Sequence, residues 1–352
     1  MRIGLVIYGS LNTLSGGYLY DRLLVEYLRR QRDTVEIVSL PWRNYAAHLG
    51  DNVRFHLPPD LDLVIEDELN HPSLLGANRQ PHPYPILSLV HHLRSSEQRP
   101  AWQNVLYRQV ERRYLQSVDG FIFNSQTTRG VVHGLTGDEK PHLVAYPPTD
   151  RFGLGLPADL VQKRAEEPAP LRILFLGSLI PRKGLHTLLD ALRQVQPGTW
   201  TLDIVGSPDV DPAYAAARQQ QAMLNGLSGS VYFHGPLDGQ SLREQLAHAH
   251  VLAVPSSYEG FGIVYLEGMA FGLSAIGTVA GAASEIITDG VDGYLVPLED
   301  PHTLAARLSA MANDRPLLQR LSLNALKRYG RQPKWEETAA RIRNFLATML
   351  LR

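Results

Sequence analysis

Two glutamates, Glu259 and Glu267, stand eight residues apart in the stretch PSSYEGFGIVYLEGMAFG. Between them lies the turn of Gly260, Phe261 and Gly262. Glycine carries no Cβ, so the backbone of such a turn can approach a ligand closely. A carboxylate can accept hydrogen bonds from two neighbouring hydroxyls, which is how related α/β folds hold a ribose. An unpaired acid on the apolar segment around Glu267 would be costly, so the spacing predicts two carboxylates that bind hydroxyls.

Two adjacent cations, Arg182 and Lys183, follow a predicted strand that ends at Gly177 and precede a helix that begins at Gly184. A helix N-terminus offers unpaired N–H groups and a partial positive charge. Charge-assisted hydrogen bonds from the two side chains would add to that attraction. The loop SLIPRKG is therefore a candidate diphosphate site, although a solvated basic turn explains the same two residues equally well.

A third loop, at residues 279–283, leads into the predicted helix start Ser284–Glu285. A Ser-Glu pair at a helix start is also typical of ordinary capping. The loop by itself therefore adds only a weak candidate, Glu285.

In the first half, His91 ends a predicted strand and is followed by His92. A histidine at a strand end is a candidate hydrogen-bond donor or general base, but with 13 histidines in the chain an incidental position is the simpler interpretation. The first strand is followed by Gly16–Gly17, without the GxGxxG spacing of a dinucleotide site. The second strand ends in SLPWR, with no acid for a ribose. A dehydrogenase is therefore disfavoured.

Short apolar runs alternate with longer amphipathic segments along the whole chain, which predicts strands separated by helices. The first half contains the predicted strands Ile3–Tyr8, Thr34–Leu40, Leu61–Ile65, Pro85–His91, Gly120–Asn124 and His142–Tyr146, and the helices Tyr18–Arg30, Trp102–Leu115 and Ser125–Leu135. The second half contains the predicted strands Leu171–Leu176, Trp200–Val205, Ser230–His234, His250–Val254, Ser274–Gly277 and Gly293–Val296, and the helices Leu185–Val195, Asp211–Leu227, Ser241–His248, Gly262–Phe271 and Pro301–Asn313.

This alternation predicts an α/β protein with two Rossmann-like domains, whose parallel sheets carry helices on both faces and face one another across a cleft. The Pro-, Gly- and Ala-rich segment Pro147–Pro170 shows little periodicity and predicts the boundary. We expect domains at residues 1–165 and 166–333. The last segment, 334–352, is predicted to be a helix that packs across the domain boundary.

Composition narrows the class of protein. The 352 residues include 44% hydrophobic and 20% charged residues, which is typical of a globular chain. The 34 basic and 35 acidic residues nearly balance, so a nucleic-acid partner is not indicated. The absence of cysteine removes disulfides and thiolate chemistry. The apolar run in MRIGLVIYGS is too short for a signal peptide, and no stretch is long enough to span a membrane. We therefore expect a cytoplasmic protein.

Four motifs together resemble the retaining glycosyltransferases of family 4, which have the GT-B fold. They are GSLIPRKG, FHGPLD, PSSYEGFGIVYLEGMAFG and GAASEIITDGVDGYLVP, in the order and spacing of that family. The resemblance covers Leu171–Pro297 strongly and the first half weakly. Its most specific part is the E-x7-E signature formed by Glu259 and Glu267.

The resemblance implies a role for each candidate residue. Lys183 and Arg182 would bind the diphosphate of a nucleotide-sugar donor, and Glu267 would hold its ribose. Glu259 would hold the donor sugar together with the backbone of Gly260, Phe261 and Gly262. His91 would contact the donor sugar, with Gly16–Gly17 near the phosphates and the acceptor. Glu285 would lie near the phosphates or the ribose, and Gly177 would open the phosphate loop.

The chain departs from the family pattern at three places. Ser178 stands where many members have an arginine, so Arg182 would carry that charge. GAASE replaces GGxPE, and HHL offers His92 beside His91 as the active histidine.

No DxD-type acidic motif is evident at a strand end, so the two cations would replace a divalent ion and no metal or other cofactor is expected. The sequence leaves open a sugar-nucleotide epimerase and a non-catalytic nucleotide-sugar-binding protein. It does not identify the donor base, the sugar or the acceptor. Contact with an anionic lipid or acceptor is not indicated, because the solvated face of a helix is the simpler interpretation of the basic residues Arg29, Arg30, Arg32, Arg108, Arg112 and Arg113.

Overall fold

The structure, a computed structural model, describes residues 1–13, 15–137, 139–153 and 155–351. The chain divides into two compact units. The N-terminal unit contains residues 1–148 and 333–352, and the C-terminal unit contains residues 149–332. Each unit is an α/β domain built on one six-stranded parallel sheet, as predicted.

The sheet of the N-terminal unit has the strand order β2-β1-β3-β4-β5-β6. Its strands are β1 (Arg2–Tyr8), β2 (Thr34–Leu40), β3 (Leu63–Asp67), β4 (Ile86–Val90), β5 (Gly120–Phe123) and β6 (His142–Val144). Strands β3, β4 and β5 are buried along their full length, as expected for parallel strands covered on both faces. The order reverses between β1 and β3, which makes that point the expected ligand position of this sheet.

Three helices of the N-terminal unit begin at side-chain caps that the sequence supplies. Ser15 accepts a hydrogen bond from Tyr18 N at the start of the first helix, and Ser125 accepts one from Thr128 N. The helices are α1 (Gly16–Arg30), α2 (Tyr45–Leu49), α3 (His71–Leu74), α4 (Ala101–Leu115) and α5 (Gln126–Thr136). The short helices α2 and α3 were not predicted, because four or five residues are too few to show a helical period.

The sheet of the C-terminal unit has the strand order β12-β11-β10-β7-β8-β9. Its strands are β7 (Leu171–Leu176), β8 (Trp200–Val205), β9 (Val231–Gly235), β10 (Val251–Ala253), β11 (Ser274–Thr278) and β12 (Gly293–Val296). Its helices are α6 (Ala158–Glu166), α7 (Leu185–Leu192), α8 (Pro212–Leu224), α9 (Gly239–His248), α10 (Ile263–Ala270), α11 (Pro301–Asn313) and α12 (Arg315–Tyr329). The order reverses between β7 and β10, so loops after these two strands flank the expected ligand position.

The sequence patterns did not predict two helices of the C-terminal unit, α6 and α12. Helix α12 begins at Asp314, whose side chain accepts from Leu317 N, with Pro316 in the first turn. Helix α6 lies inside the predicted linker and buries Val161. The side chain of Arg164 in α6 donates to the carbonyl of Phe271 at 2.8 Å. Because α6 packs in this unit, the units divide after residue 148, earlier than the predicted boundary at 165/166.

The last helix, α13 (Trp335–Met349), packs within the N-terminal unit. Trp335 meets the ring of Tyr20 edge-on, with 5.1 Å between ring centres. Arg343 donates to the buried carboxylate of Asp33 at 2.7 Å. The prediction of a helix was right. Its apolar face completes the core of the N-terminal unit, whereas the sequence had predicted that the helix packs across the domain boundary. Within the described residues, no helix is long and apolar enough to cross a membrane.

Replacing Trp335 with alanine should lower the free energy of unfolding of the N-terminal unit by about 3–5 kcal/mol, because it removes a buried aromatic side chain. The matched control is Trp102→Ala, since Trp102 is 69% exposed on α4. Its expected effect is within about 0.5 kcal/mol. Urea unfolding followed by circular dichroism measures both. If Trp335→Ala and Trp102→Ala lowered the free energy of unfolding equally, the packing of α13 in this core would be contradicted.

Candidate active site

The loops after β7 and β10 meet at the point where the strand order of the C-terminal sheet reverses. Ser257 N donates to the carbonyl of Arg182 at 2.8 Å, and Arg182 Nη1 donates to the carbonyl of Tyr258 at 2.8 Å. These bonds join the predicted phosphate loop to the loop that carries Glu259. Two of the motifs recognised in the sequence therefore form one continuous site.

Glu259 is the centre of this site and is only 7% exposed. Its Oε1 accepts from Lys183 Nζ at 2.6 Å and from Ser256 Oγ at 2.6 Å. Its Oε2 lies 3.6 Å from Arg182 Nη1. Burial alone would raise the pKa of Glu259, but the charges of Lys183 and Arg182, with these hydrogen bonds, lower it to about 2. The carboxylate is therefore ionised at neutral pH.

Lys183 is held on both sides. Its aliphatic chain lies against Gly177 at the end of β7, and its ammonium group is bonded to Glu259. Burial lowers the pKa of Lys183, and the Glu259 carboxylate opposes that shift. Arg182 and Lys183 together carry two positive charges against the single charge of Glu259. The site thus has an excess positive charge, which suits an anionic ligand.

The loop after β11 packs directly on Glu259. Ala282 N donates to the main-chain oxygen of Glu259 at 2.9 Å. Gly281 has φ +66°, and a Cβ there would clash with that same oxygen. The loop continues as a 3-10 turn to Glu285, whose carbonyl accepts from Arg328 at 2.6 Å. This arrangement brings the third motif loop to the site, with Glu285 half-buried at the end of the turn.

The turn between the two glutamates leads into α10. Gly260 is half-buried, Phe261 is 4% exposed, and Gly262 is the residue before the helix. Glu267 lies on α10 and is 3% exposed. Both glutamates are thus buried.

Glu267 has a cationic partner that the sequence analysis missed. Arg151 Nη1 lies 3.4 Å from Glu267 Oε1. Burial raises the pKa of Glu267, and Arg151 opposes that shift. Arg151 belongs to the irregular segment after β6, which has no motif or periodicity. No sequence signal could have paired it with a residue more than a hundred positions away.

In the N-terminal unit, His91 directly follows β4 and lies close to Gly17 at the start of α1. A Cβ at Gly17 would lie 3.2 Å from the His91 ring, so a side chain there would crowd the imidazole at this close approach of α1. His91 Nε2 lies 3.1 Å from Asp21 Oδ1. The neighbouring His92 makes a separate pair, with its Nε2 3.0 Å from Glu97 Oε1. The two histidines therefore belong to different clusters.

The sequence analysis missed an acidic cluster beside His91. Asp67 ends β3, and Glu68 follows it; both are at most 2% exposed. Glu68 Oε2 accepts from His91 N at 2.7 Å. Burial raises the pKa of both carboxyl groups, with the charges of Asp21 and Glu68 adding to the shift of Asp67. The polar run EDELNHPS at the end of a buried strand is the sequence signal that could have revealed this cluster.

The polar atoms of Asp21, Asp67 and His91 lie within 4.8 Å of one another, a spacing that would also admit a cation. The imidazole nitrogen at that point is, however, already bonded to Asp21. We therefore interpret the cluster as a carboxylate–imidazole pair with an acidic neighbour.

Loss of the charge of Glu259 and loss of the charge of Glu267 should have opposite effects on the stability of the fold. The lowered pKa of Glu259 means that its charge stabilises the fold above about pH 4.5, and this contribution is lost as the pH falls toward 2. Glu259→Gln should therefore be less stable than wild type at pH 7, by an amount that shrinks below pH 4.5. Burial raises the pKa of Glu267, so its charge costs stability at pH 7, and Glu267→Gln should not destabilise. Urea unfolding of both variants and wild type from pH 7 to pH 3 measures these free energies of unfolding. If Glu267→Gln loses more stability at pH 7 than Glu259→Gln, the assigned roles of the two charges in stability are wrong.

Comparison with known proteins agrees with the motifs. Residues 170–314 match the model of the family described as Glycosyl transferases group 1. The D-inositol 3-phosphate glycosyltransferase of Jonesia denitrificans is 30% identical over 242 residues, which cover 65% of this chain and 57% of that protein. The chain spans about half the length of several of the curated relatives that it matches.

Solved structures share the fold over nearly the whole chain. Sucrose-phosphate synthase from Thermosynechococcus elongatus has a TM-score of 0.80 at 20% identity and covers 99% of both chains. Anabaena HepE in complex with UDP-glucose has a TM-score of 0.77 at 18% identity, with 99% of this chain and 100% of that chain covered. Identities this low show the fold alone. The predicted GT-B fold class is confirmed, and residues 170–314 of the C-terminal unit are similar to the glycosyl transferases group 1 family.

Proposed function

We propose that this protein is a glycosyltransferase that moves a sugar from a nucleoside-diphosphate sugar to an acceptor hydroxyl, with retention at the anomeric carbon and without a metal ion. The observation that carries the proposal is the convergence of Arg182 and Lys183 on the buried carboxylate of Glu259, where the strand order of the C-terminal sheet reverses. It combines a site for a diphosphate with a carboxylate that can hold sugar hydroxyls.

The diphosphate would bind to Arg182 and Lys183. Both side chains already converge on one carboxylate, so their charges are held in place before a ligand arrives. A bound diphosphate has more negative charge than Glu259 and would draw the two cations toward itself. The oxygens of Glu259 would then be released to accept hydrogen bonds from the donor sugar. The main chain of Gly260, Phe261 and Gly262 would contact the same sugar.

The nucleoside would be held through its ribose by Glu267. Only one oxygen of this carboxylate contacts Arg151, at the long distance of 3.4 Å, so the carboxylate retains the capacity to accept two hydroxyl hydrogen bonds. Glu285 and the loop at Gly281 would complete the phosphate or ribose end of the site. The family resemblance assigns His91 and Gly16–Gly17 of the N-terminal unit to the donor sugar and acceptor.

The proposed reaction needs little covalent chemistry from the protein. The bond between the anomeric carbon and the diphosphate oxygen breaks, and the acceptor oxygen forms a new bond to that carbon on the same face. The acceptor proton passes to the departing phosphate oxygen. Arg182 and Lys183 would stabilise the negative charge that develops on the diphosphate, which is the main electrostatic demand of such a step.

Relatives indicate which substrates to test first. HepE is described in complex with UDP and with UDP-glucose, so uridine donors come first. The inositol phosphate glycosyltransferases suggest a polyol as one acceptor class. A thermal-shift screen against UDP-, GDP-, ADP- and dTDP-sugars would identify the donor, because a ligand that binds the native state raises the melting temperature. A cytoplasmic location stays a prediction.

The test of transfer is the release of nucleoside diphosphate with and without acceptor. Acceptor-dependent release supports a transferase. Interconversion of the sugar without acceptor would indicate an epimerase instead. Binding without any turnover would indicate a non-catalytic nucleotide-sugar-binding protein.

Lys183→Ala should reduce turnover and donor affinity together by one to two orders of magnitude, as expected for loss of a charge-assisted hydrogen bond of about 1.5–3 kcal/mol. Lys163→Ala is the control, because Lys163 is exposed on α6 in the same unit. Steady-state kinetics and calorimetry with the donor identified in the screen measure both variants. Wild-type kinetics in Lys183→Ala would remove this residue from the site.

His91→Ala should lower kcat strongly and leave affinity for the bare nucleotide within about twofold, the pattern of an interaction made mainly in the transition state. His92→Ala should do much less, since His92 belongs to the separate pair with Glu97. Calorimetry with the nucleotide and a transfer assay distinguish the two quantities. Equal loss of kcat in both variants, or lost nucleotide affinity in His91→Ala, would contradict the role of His91.

A further inference from the structure

Asp21 is a buried carboxylate of α1 to which neither the motifs nor the proposed function gives a role. Its side chain is 0% exposed, and its Oδ1 lies 3.1 Å from His91 Nε2. A buried carboxylate is costly unless it is paired and hydrogen-bonded. The contact with His91 supplies that partner and joins the first helix of the chain to the end of β4.

The imidazole of His91 is fixed from several directions. Its main-chain N–H donates to Glu68 Oε2 at 2.7 Å, and its carbonyl accepts from Asn124 Nδ2 at 2.7 Å. The ring of Tyr20 stands edge-on to the imidazole, with 5.3 Å between ring centres. With Gly17 packed against another edge, the ring has one well-defined orientation.

This orientation leaves one ring nitrogen available. Asp21 occupies Nε2, whereas within the described parts of the chain no residue hydrogen-bonds to Nδ1. The side chain of His91 is 10% exposed, so the ring is not sealed from ligands. The Asp21 carboxylate accepts the proton on Nε2.

The charged and titratable groups that face His91 come from two neighbouring segments. Asp21 and Tyr20 approach from α1, and Asp67 and Glu68 approach from β3 and the turn after it. Burial alone would lower the pKa of His91, but the hydrogen bond to Asp21 and the charges of Asp21, Asp67 and Glu68 raise it to about 9. Both ring nitrogens therefore carry protons at neutral pH, and Nδ1 is a charged donor.

We propose that Asp21 is a positioning residue for the transfer reaction, which holds the His91 imidazole through Nε2 so that Nδ1–H donates to an oxygen of the donor substrate. This role rests on the proposed function. It also explains why α1 approaches His91 so closely at Gly17: the approach brings Asp21, one helical turn later, to the same ring.

The test is Asp21→Asn, which keeps the size of the side chain and an oxygen that accepts Nε2–H but removes the charge. We expect kcat to fall about 10- to 100-fold, less than the roughly 100- to 1,000-fold loss on removing a catalytic hydrogen-bond donor, because the His91 donor stays in place and loses only its charged partner. Affinity for the bare nucleotide should stay within about twofold. The alkaline limb of the pH–rate profile, near pH 9 in wild type, should move to lower pH, because loss of a neighbouring carboxylate lowers the pKa of His91.

A titration of the histidine resonances by NMR measures the same shift without catalysis. The His91 signal is identified by its absence in His91→Ala. It should titrate above pH 8 in wild type and at least one pH unit lower in Asp21→Asn.

The matched control is Glu97→Gln, since Glu97 and His92 form a second carboxylate–imidazole pair next to the first, with side chains 20% and 26% exposed. This variant should keep wild-type kcat and pH profile. The double variant Asp21→Asn/His91→Ala should be no slower than His91→Ala alone, because Asp21 acts through His91.

The outcomes separate this role from the proposed function. If wild type is active and Asp21→Asn has the same kcat and pH profile as wild type, the role of Asp21 is overturned and the proposed function stands. A fall in kcat accompanied by equal losses of nucleotide affinity and melting temperature would show a merely structural residue and also overturn it. Wild-type activity lost in EDTA and restored by a divalent ion would assign the cluster to a metal instead. If no nucleotide sugar is turned over by wild type, the proposed function fails and the role of Asp21 fails with it.

Discussion

The ion pair between Lys183 and Glu259 is the interaction on which the C-terminal site depends. It joins loops that follow neighbouring parallel strands, β7 and β10, although 76 positions separate the two residues. Buried charges persist only when their partners and hydrogen bonds are in place, and here Ser256 and Arg182 complete the set. Because the loop after β11 packs on the main chain of Glu259, one residue sets the spacing of three loops.

The N-terminal unit follows the same design with different groups. His91 and Asp21 also lie near the point where the order of a parallel sheet reverses, and they also pair a base with a buried acid. In each unit, a glycine lies close to the central ionisable residue. A Cβ at Gly281 would clash with the main chain of Glu259, and one at Gly17 would crowd the His91 ring. In both units, charged side chains thus gather beyond the ends of strands, and burial and neighbouring charges shift the pKa values of Glu259, Lys183 and His91.

The strands and the motif residues could be predicted because their signals are local. Leu171–Leu176 has the predicted bounds, since a mostly apolar run marks a strand buried on both faces. Thr34–Leu40 also has the predicted bounds, although it lies at the edge of its sheet and is only partly buried. Contacts between distant segments could not be predicted: Arg151 reaches Glu267 from an irregular segment, and Asp21 reaches His91 from another element. Helix α6 was missed because its buried face is short and lies in a Pro-rich segment. The role of each site residue in transfer stays a prediction.

The position of α13 has a consequence for synthesis of the protein. This helix supplies Trp335, Ile342 and Leu346 to the core of the N-terminal unit, yet it is translated after the whole C-terminal unit. Domains generally fold as units, in the order in which they leave the ribosome. Here the second unit can complete its core first, while the first unit keeps an exposed apolar surface until residues 333–352 emerge. Nascent chains of this protein should therefore depend on chaperones at the first unit for most of translation.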